Sequence, residues 1–346
     1  RGTLRRFAAS LRNLLRAKKY DAIHDHQDNI AGLHFLMGAG VLPAVRVAHV
    51  HNPLLYLEKY SSSAIRKATV RVGRYGIAHF GTHVLGTSRQ VLGEYGFYGP
   101  RFSRLSVMPL HCGIDADLFA LDHEASRRAV LCELGLPAEA SIALFVGRLD
   151  SGYNQKNPSF ALETARAAIG RFPSLHLLMA GGGDAAQTRL TATVHGWGMA
   201  DKIRILGPRR DIPKLMAAAD LMLVPSLQEG LGMVIVEAQA AGLPVLVSDA
   251  VPHECMVIPE MVNFLPLSDG TEGWAKAVLR KNQAGAAQRG SGERSRTPVT
   301  LLHPKFGQGT RGDLLGGADH MPNERGRAEA GATQENPAGS LRPSDP

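Results

Sequence analysis

Glu229 and Glu237 stand eight positions apart, the first beside Gly230-Leu231-Gly232 and the second within the apolar run that follows. That run, Met233 to Ala241, reads as a helix, so Glu229 falls in a loop and Glu237 about one turn in. Glycines at a helix start let backbone N–H groups come close to a phosphate. A carboxylate one turn further along suits a ribose diol. Upstream, Gly147-Arg148 closes the apolar run Ile142 to Val146, and Lys156-Asn157 follows shortly after. An arginine and a lysine at one crevice can neutralise a diphosphate. Together these residues describe a nucleotide-diphosphate site, with Glu229 left over for the group attached to it.

The elements that must position them are short apolar runs alternating with helical stretches. Strands are expected at Tyr20 to His24, Ala44 to His49, Thr82 to Leu85, Ile142 to Val146, Leu175 to Met179, Ile203 to Leu206, Leu221 to Val224 and Val245 to Val247. Helices are expected at Leu4 to Arg16, Asn29 to Met37, Ser61 to Arg74 and Pro158 to Phe172, with Gly113 to Phe119 as a linker. Such alternation implies parallel strands buried on both faces. The fold class is α/β, with two Rossmann-like domains at residues 1–119 and 120–280. Ligands of such sheets bind beyond the carboxyl ends of the strands, where the candidate residues lie. The glycines of Gly181 to Asp184 read as a strand-to-helix turn rather than a phosphate cradle.

Composition narrows the class further. Three cysteines in 346 residues argue against a disulfide scaffold and fit a reducing compartment. No apolar stretch approaches a membrane span, and the opening residues lack the apolar core of a signal peptide. The net charge is +8, and residues 1–74 carry 13 basic against 4 acidic side chains. In Ser61 to Arg74 the residues Ile65, Ala68 and Val72 share one helical face, with Arg66, Lys67, Arg71 and Arg74 mostly off it. This is either a solvated helix face or a contact with an anionic membrane surface. No nucleic-acid-binding signature accompanies the charge. Residues 281–346 hold 11 Gly and 6 Pro, with Phe306 the only aromatic, and are expected to be a disordered tail.

The run from Val146-Gly147-Arg148 through Lys156-Asn157-Pro158, the Gly181–Gly183 turn, Leu206-Gly207, Pro225-Ser226 to Glu229 and Glu237, then Ala241-Gly242-Leu243-Pro244-Val245, resembles glycosyltransferase family 4, also called group 1. The similarity covers about residues 20–280 and is most specific in 142–250, with the exopolysaccharide-biosynthesis branch the nearest in flavour. It implies a GT-B fold, two Rossmann-like domains facing a cleft, and a retaining transfer of a sugar from a nucleotide diphosphate, in particular UDP. It implies no cofactor and no metal, cationic side chains stabilising the leaving group instead. Arg148 and Lys156 would hold the diphosphate and Glu229 the donor sugar. Glu237 would hold the ribose, while the backbone of Gly147 and of Gly230, Leu231 and Gly232 lines the donor site. The family places a histidine after an N-terminal strand, facing the donor sugar. His51 matches best, with His49 as the alternative. His24 and His26 could bind metal on paper, but their expected role is structural, at a strand end beside the cleft.

An Asp-x-Asp element of a metal-dependent transferase is offered by Asp115-Ala116-Asp117, which falls in the linker rather than after a buried strand. The family's Asn-Gly-Ile-Asp is here Cys112-Gly113-Ile114-Asp115, preceded by His111. The opening helix resembles a position some way into the family's pattern, and the pattern stops near Leu279. The N-terminal domain is therefore expected to be incomplete and the chain truncated at both ends. The expected activity is sugar transfer to a saccharide or lipid-linked acceptor in cell-surface glycan synthesis. It would take place in the cytoplasm, with peripheral contact at the inner face of the plasma membrane. The alternative is a nucleotide-binding remnant without catalysis. An NAD-dependent reading lacks a Gly-x-Gly-x-x-Gly turn between a first strand and helix.

Overall fold

The computed structural model describes residues 2–54, 64–149 and 154–290, which build two parallel sheets flanked by helices. In the first part of the chain, α1 (Gly2–Ala17) leads to β1 (Ala22–Asp25), α2 (Ala31–Met37), β2 (Val45–Val50), α3 (Ala64–Phe80), β3 (His83–Gly86), α4 (Arg89–Glu94) and β4 (Ser106–Pro109). The sheet order is β1-β2-β3-β4, every pair parallel. Helix α3 lies close against α2 because glycines meet there. A Cβ on Gly32 would fall 1.8 Å from the Gly73 carbonyl oxygen, and one on Gly76 would fall 2.1 Å from that of Gly32.

This packing decides which face of the basic helix is inside. Gly73, Gly76 and Ile77 turn inward, while Ile65 is 80% and Val72 43% exposed. The stripe of Ile65, Ala68 and Val72 is thus the outer face, contrary to the ordinary expectation for an apolar stripe.

The second part runs through α5 (His123–Leu134), β5 (Ser141–Val146), α6 (Pro158–Ile169), β6 (Leu175–Ala180), α7 (Asp184–Gly196), β7 (Ile203–Gly207), α8 (Ile212–Ala218), β8 (Leu221–Val224), α9 (Met233–Ala240), β9 (Val245–Ser248), β10 (Val262–Leu265) and α10 (Gly270–Gly290). Its sheet order is β7-β6-β5-β8-β9-β10, all parallel. Alternate residues feed two cores, one on each face. Ile142 and Leu144 of β5 pack into one, and Ala143 and Phe145 into the other. Burial on both faces is why these strands read as unbroken apolar runs.

Several expectations are corrected. Strands β4 and β10 were not foreseen: Ser106-Val107-Met108-Pro109 and Val262-Asn263-Phe264-Leu265 are edge strands, too mixed in polarity to stand out. Asn29 to Met37 begins as a 3-10 turn at Asp28–Ile30 before α2. The linker contains a 3-10 turn, Ala116–Phe119, whose Phe119 is buried in the core of the second sheet. Within it Asp115 accepts from the Asp117 N–H at 3.3 Å, so this Asp-x-Asp pair caps a turn. The segment expected to lack structure from 281 is helical up to Gly290, as the end of α10. That helix is anchored by Trp274, which is fully buried, meets Phe160 edge-on and donates from Nε1 to the Pro266 carbonyl at 3.0 Å. The rest of the expected tail, 291–346, lies outside the described residues.

Candidate active site

The chain leaves β5 toward β6 on one side, and β8 occupies the other, so the strand order reverses between β5 and β8. Loops diverge at such a point and leave a crevice beyond the strand ends. Gly147 and Arg148 follow β5 and Pro225 to Gly232 follow β8, so both candidate loops flank this crevice.

The loop after β5 is held from beneath. The Gly147 N–H donates to the Ala180 carbonyl at 3.0 Å, and Leu149 N–H to Gly182 at 2.8 Å. A Cβ on Gly181 would lie 1.7 Å from the Gly147 carbonyl oxygen. The glycines after β6 therefore serve close loop packing, as the turn reading anticipated. Arg148 stands exposed at the crest. The chain returns through the 3-10 turn Asn154–Lys156, after which Asn157 takes a left-handed φ of 54° and Pro158 opens α6.

Lys156 and Glu229 meet directly. Nζ lies 2.7 Å from Oε1, with the lysine side chain 21% and the carboxylate 7% exposed. Ser226 Oγ donates to the same oxygen at 2.7 Å, and the Leu227 N–H donates to the Gln155 carbonyl at 2.7 Å. Ser226 was given no role, although Pro225-Ser226 stands in the run that carries the family resemblance, three residues before Glu229. Residues assigned separately to diphosphate and sugar are thus joined as one cation–carboxylate unit.

Gly230 brings this loop against the first sheet. A Cβ there would fall 2.1 Å from the His51 carbonyl oxygen and 3.1 Å from Thr87 Oγ1. A second tie links the Arg89 N–H to Glu254 Oε1 at 2.6 Å. Leu231 is 3% exposed and packs in the core, which leaves only its backbone to face a ligand. Gly232 holds a left-handed φ of 88° at the N-cap of α9, a conformation suited to glycine. Glu237 is half-buried, and burial raises its carboxyl above the ordinary range while the Lys156 charge pulls it back.

Opposite stands His51, at the carboxyl end of β2. Asp28, a non-glycine residue with φ 51°, accepts from the His51 N–H at 2.6 Å and from Asn52 Nδ2 at 2.8 Å. It fixes the loop that carries the histidine, and nothing in its sequence context marks it. The His51 ring is half-buried and its Nε2 is 2.9 Å from His26 Nδ1. Burial lowers its pKa, with Asp28 opposing and His26 reinforcing. His49, the alternative, is 4% exposed and pushed down to about 3, chiefly by burial and then by the neighbouring histidines. Of the two, only His51 adjoins the loop of Gly230.

Residues 140–281 match the family model described as glycosyl transferases group 1. The chain is 28% identical over 284 residues to the putative glycosyltransferase EpsF of Bacillus subtilis, covering 82% of this chain and 72% of that one. It is 26% identical over 282 residues to the UDP-Gal:alpha-D-GlcNAc-diphosphoundecaprenol alpha-1,3-galactosyltransferase of Escherichia coli, covering 78% and 68%. Of the D-inositol 3-phosphate glycosyltransferases it also matches, it spans only 31% to 40%. Among solved structures, HepE from Anabaena in complex with UDP superposes with a TM-score of 0.62 at 20% identity, covering 81% of this chain and 82% of that one. The fold is that of the GT-B glycosyltransferases.

Proposed function

We propose, from the premise that residues 140–281 are a group 1 glycosyltransferase domain, that this chain transfers a sugar from UDP to a hydroxyl of a saccharide or lipid-linked acceptor. One observation carries the reading: the Lys156–Glu229 pair bridges the loops that follow β5 and β8, beside the glycine pressed on His51. A cation held at a strand-order reversal is suited to a diphosphate, and the UDP complex of HepE, which shares the fold, supports that choice. The Escherichia coli relative, named for transfer from UDP-Gal to a diphosphoundecaprenol-linked sugar, supports the acceptor class.

In this reading Arg148 and Lys156 stabilise the charge that develops as the bond from C1 of the sugar to the diphosphate oxygen breaks. Their charge stands in for a metal in that step. Glu229, already oriented by Lys156 and Ser226, accepts from hydroxyls of the donor sugar. Glu237 accepts from the ribose, and the backbone of Gly147 and Gly230 to Gly232 meets the phosphates. His51 faces the sugar from the other wall. The acceptor oxygen bonds to C1 on the face the diphosphate vacates, its proton passing to the departing phosphate oxygen, which retains configuration.

Among the described residues no helix is long and apolar enough to cross a membrane. Helices α1 and α3 nonetheless expose Leu4, Phe7, Leu14, Ile65 and Val72 beside Arg5, Arg6, Lys67 and Arg71. We read this as a peripheral contact with the anionic cytoplasmic leaflet, where a lipid-linked acceptor would be met.

Calorimetric titration of UDP into the full chain without added metal tests the donor site. Saturable binding of one equivalent is expected, and no binding by a sample that melts cooperatively overturns the reading. Product formation from a UDP-sugar separates an enzyme from a nucleotide-binding remnant.

A further inference from the structure

We infer that the carboxyl ends of β1 and β2 form a binding site for a divalent transition-metal ion, held by the imidazoles of His24, His26 and His49. The chain writes His-x-His twice, His24-Asp25-His26 and His49-Val50-His51. Residues two apart on a strand share a face. Strands β1 and β2 are parallel neighbours, with Asp25 level with Ala48. The four rings consequently form a two-by-two array. Ring centroids are 4.1 Å apart for His24–His26 and for His49–His51, and 5.0 Å for His26–His49.

The ring nitrogens converge as well. One from each of His24, His26 and His49 lies within 4.8 Å of the other two. His24 Nε2 is 3.2 Å from His49 Nδ1. With zinc–nitrogen bonds of about 2.0–2.1 Å, neighbouring ligand nitrogens sit about 3 Å apart, so a shared cation asks for little movement. Three neutral imidazoles with an open fourth position suit zinc, copper or nickel.

Nearby carboxylates are otherwise engaged. Asp25 projects to the other face of β1, where its Oδ2 lies 2.6 Å from His34 Nδ1 and its Oδ1 accepts from the Gln27 N–H. Asp28 is taken by the His51 and Asn52 amides. Nε2 of His49 is buried with no hydrogen bond of normal geometry, although the Leu110 backbone is near enough to act on the ring. Where His24 Nε2 faces His49 Nδ1, neutral rings can share only one proton between two lone pairs, and a cation seated among His24, His26 and His49 takes both lone pairs instead. The site rests on β1 and β2 only, so it stands or falls apart from the sugar-transfer reading.

Zinc chloride titrated calorimetrically at neutral pH into the full chain, stripped beforehand with chelator, gives the direct test. One equivalent should bind saturably, and cobalt in its place should develop visible ligand-field bands. His26→Gln and His24→Gln should each weaken zinc by roughly tenfold or more, whereas His34→Gln leaves it nearly unchanged. Absence of saturable binding, or binding that persists in both folded cluster variants, overturns the site. Where those variants do not fold, zinc must shield three histidines of the unaltered chain from diethyl pyrocarbonate, and a lack of shielding overturns it equally.

Discussion

Lys156 and Glu229 are 73 residues apart in the chain and 2.7 Å apart in space, an ammonium on a carboxylate that is almost wholly enclosed. The pair staples the loop after β5 to the loop after β8 across the strand-order reversal. Removing the lysine alone leaves a buried charge held by the Ser226 hydroxyl.

Lys156→Ala is therefore expected to destabilise the chain by about 2 kcal/mol, below the value for a fully buried pair because the lysine is partly solvated. Adding Glu229→Gln should restore much of that loss while leaving transfer abolished. Urea unfolding of the single and double variants checks this. An additive double variant would show the two side chains to be energetically independent.

Glu237 supplies a pH signature. Its folded pKa is raised above the ordinary 4.5, chiefly by burial. A raised pKa means that the folded chain holds this proton more tightly than the unfolded one. Its contribution is then fully present below the ordinary carboxylate range and lost as pH rises through the shifted value. Glu237→Gln should flatten the fall in stability across that interval. Glu237→Ala should weaken UDP binding by roughly 1–3 kcal/mol. Melting temperatures against pH and UDP calorimetry read the two effects separately.

Gly230 is a position where one methyl group matters. Gly230→Ala places a Cβ against the His51 carbonyl, so the β8 loop or the β2 loop must shift. A displacement near 1 Å at a reacting centre is expected to cut turnover roughly 100-fold with little change in melting temperature. Steady-state kinetics beside a melting curve decides it, and an unaltered kcat/KM would show that the contact does not align the walls.

Asp220 bears on stability alone. Its Oδ2 lies 3.1 Å from Arg127 Nη1 and accepts from the Ile142 N–H at 2.9 Å, all three groups buried. Asp220→Ala leaves the guanidinium bonded to carbonyls only, and a loss of about 3–5 kcal/mol is expected from chemical unfolding. Asp220→Asn, which keeps one acceptor, should lose less.

The outer face of α3 predicts a salt-dependent interaction. Vesicles with anionic lipid should sediment the full chain at low ionic strength and release it as salt rises. Arg71→Gln should weaken binding roughly fivefold, in line with about 1 kcal/mol for each basic residue at the surface. Neutral vesicles retaining the chain equally well would remove the charge from the account.

Most of the second sheet was legible because its strands are buried on both faces and appear as uninterrupted apolar runs, and each loop follows such a run. The order of Gly147, Arg148, Lys156, Glu229, Gly230, Gly232 and Glu237 along the chain was enough to mark one crevice. The edge strands β4 and β10 escaped notice because an edge tolerates mixed polarity. The inner face of α3 left no signal because its packing rests on Gly73 and Gly76, which carry no side chain and leave no apolar period.

What sequence alone determined, then, were most of the elements and the loops that flank the crevice, since these follow from local periodicity and residue chemistry, while the candidate histidine came from the family resemblance. The pairing of Lys156 with Glu229, the seat of Gly230 on His51, the support from Asp28 and the gathering of four imidazoles were decided only by tertiary structure. Each depends on distances between segments remote along the chain, which the packing of two sheets sets and no local pattern encodes.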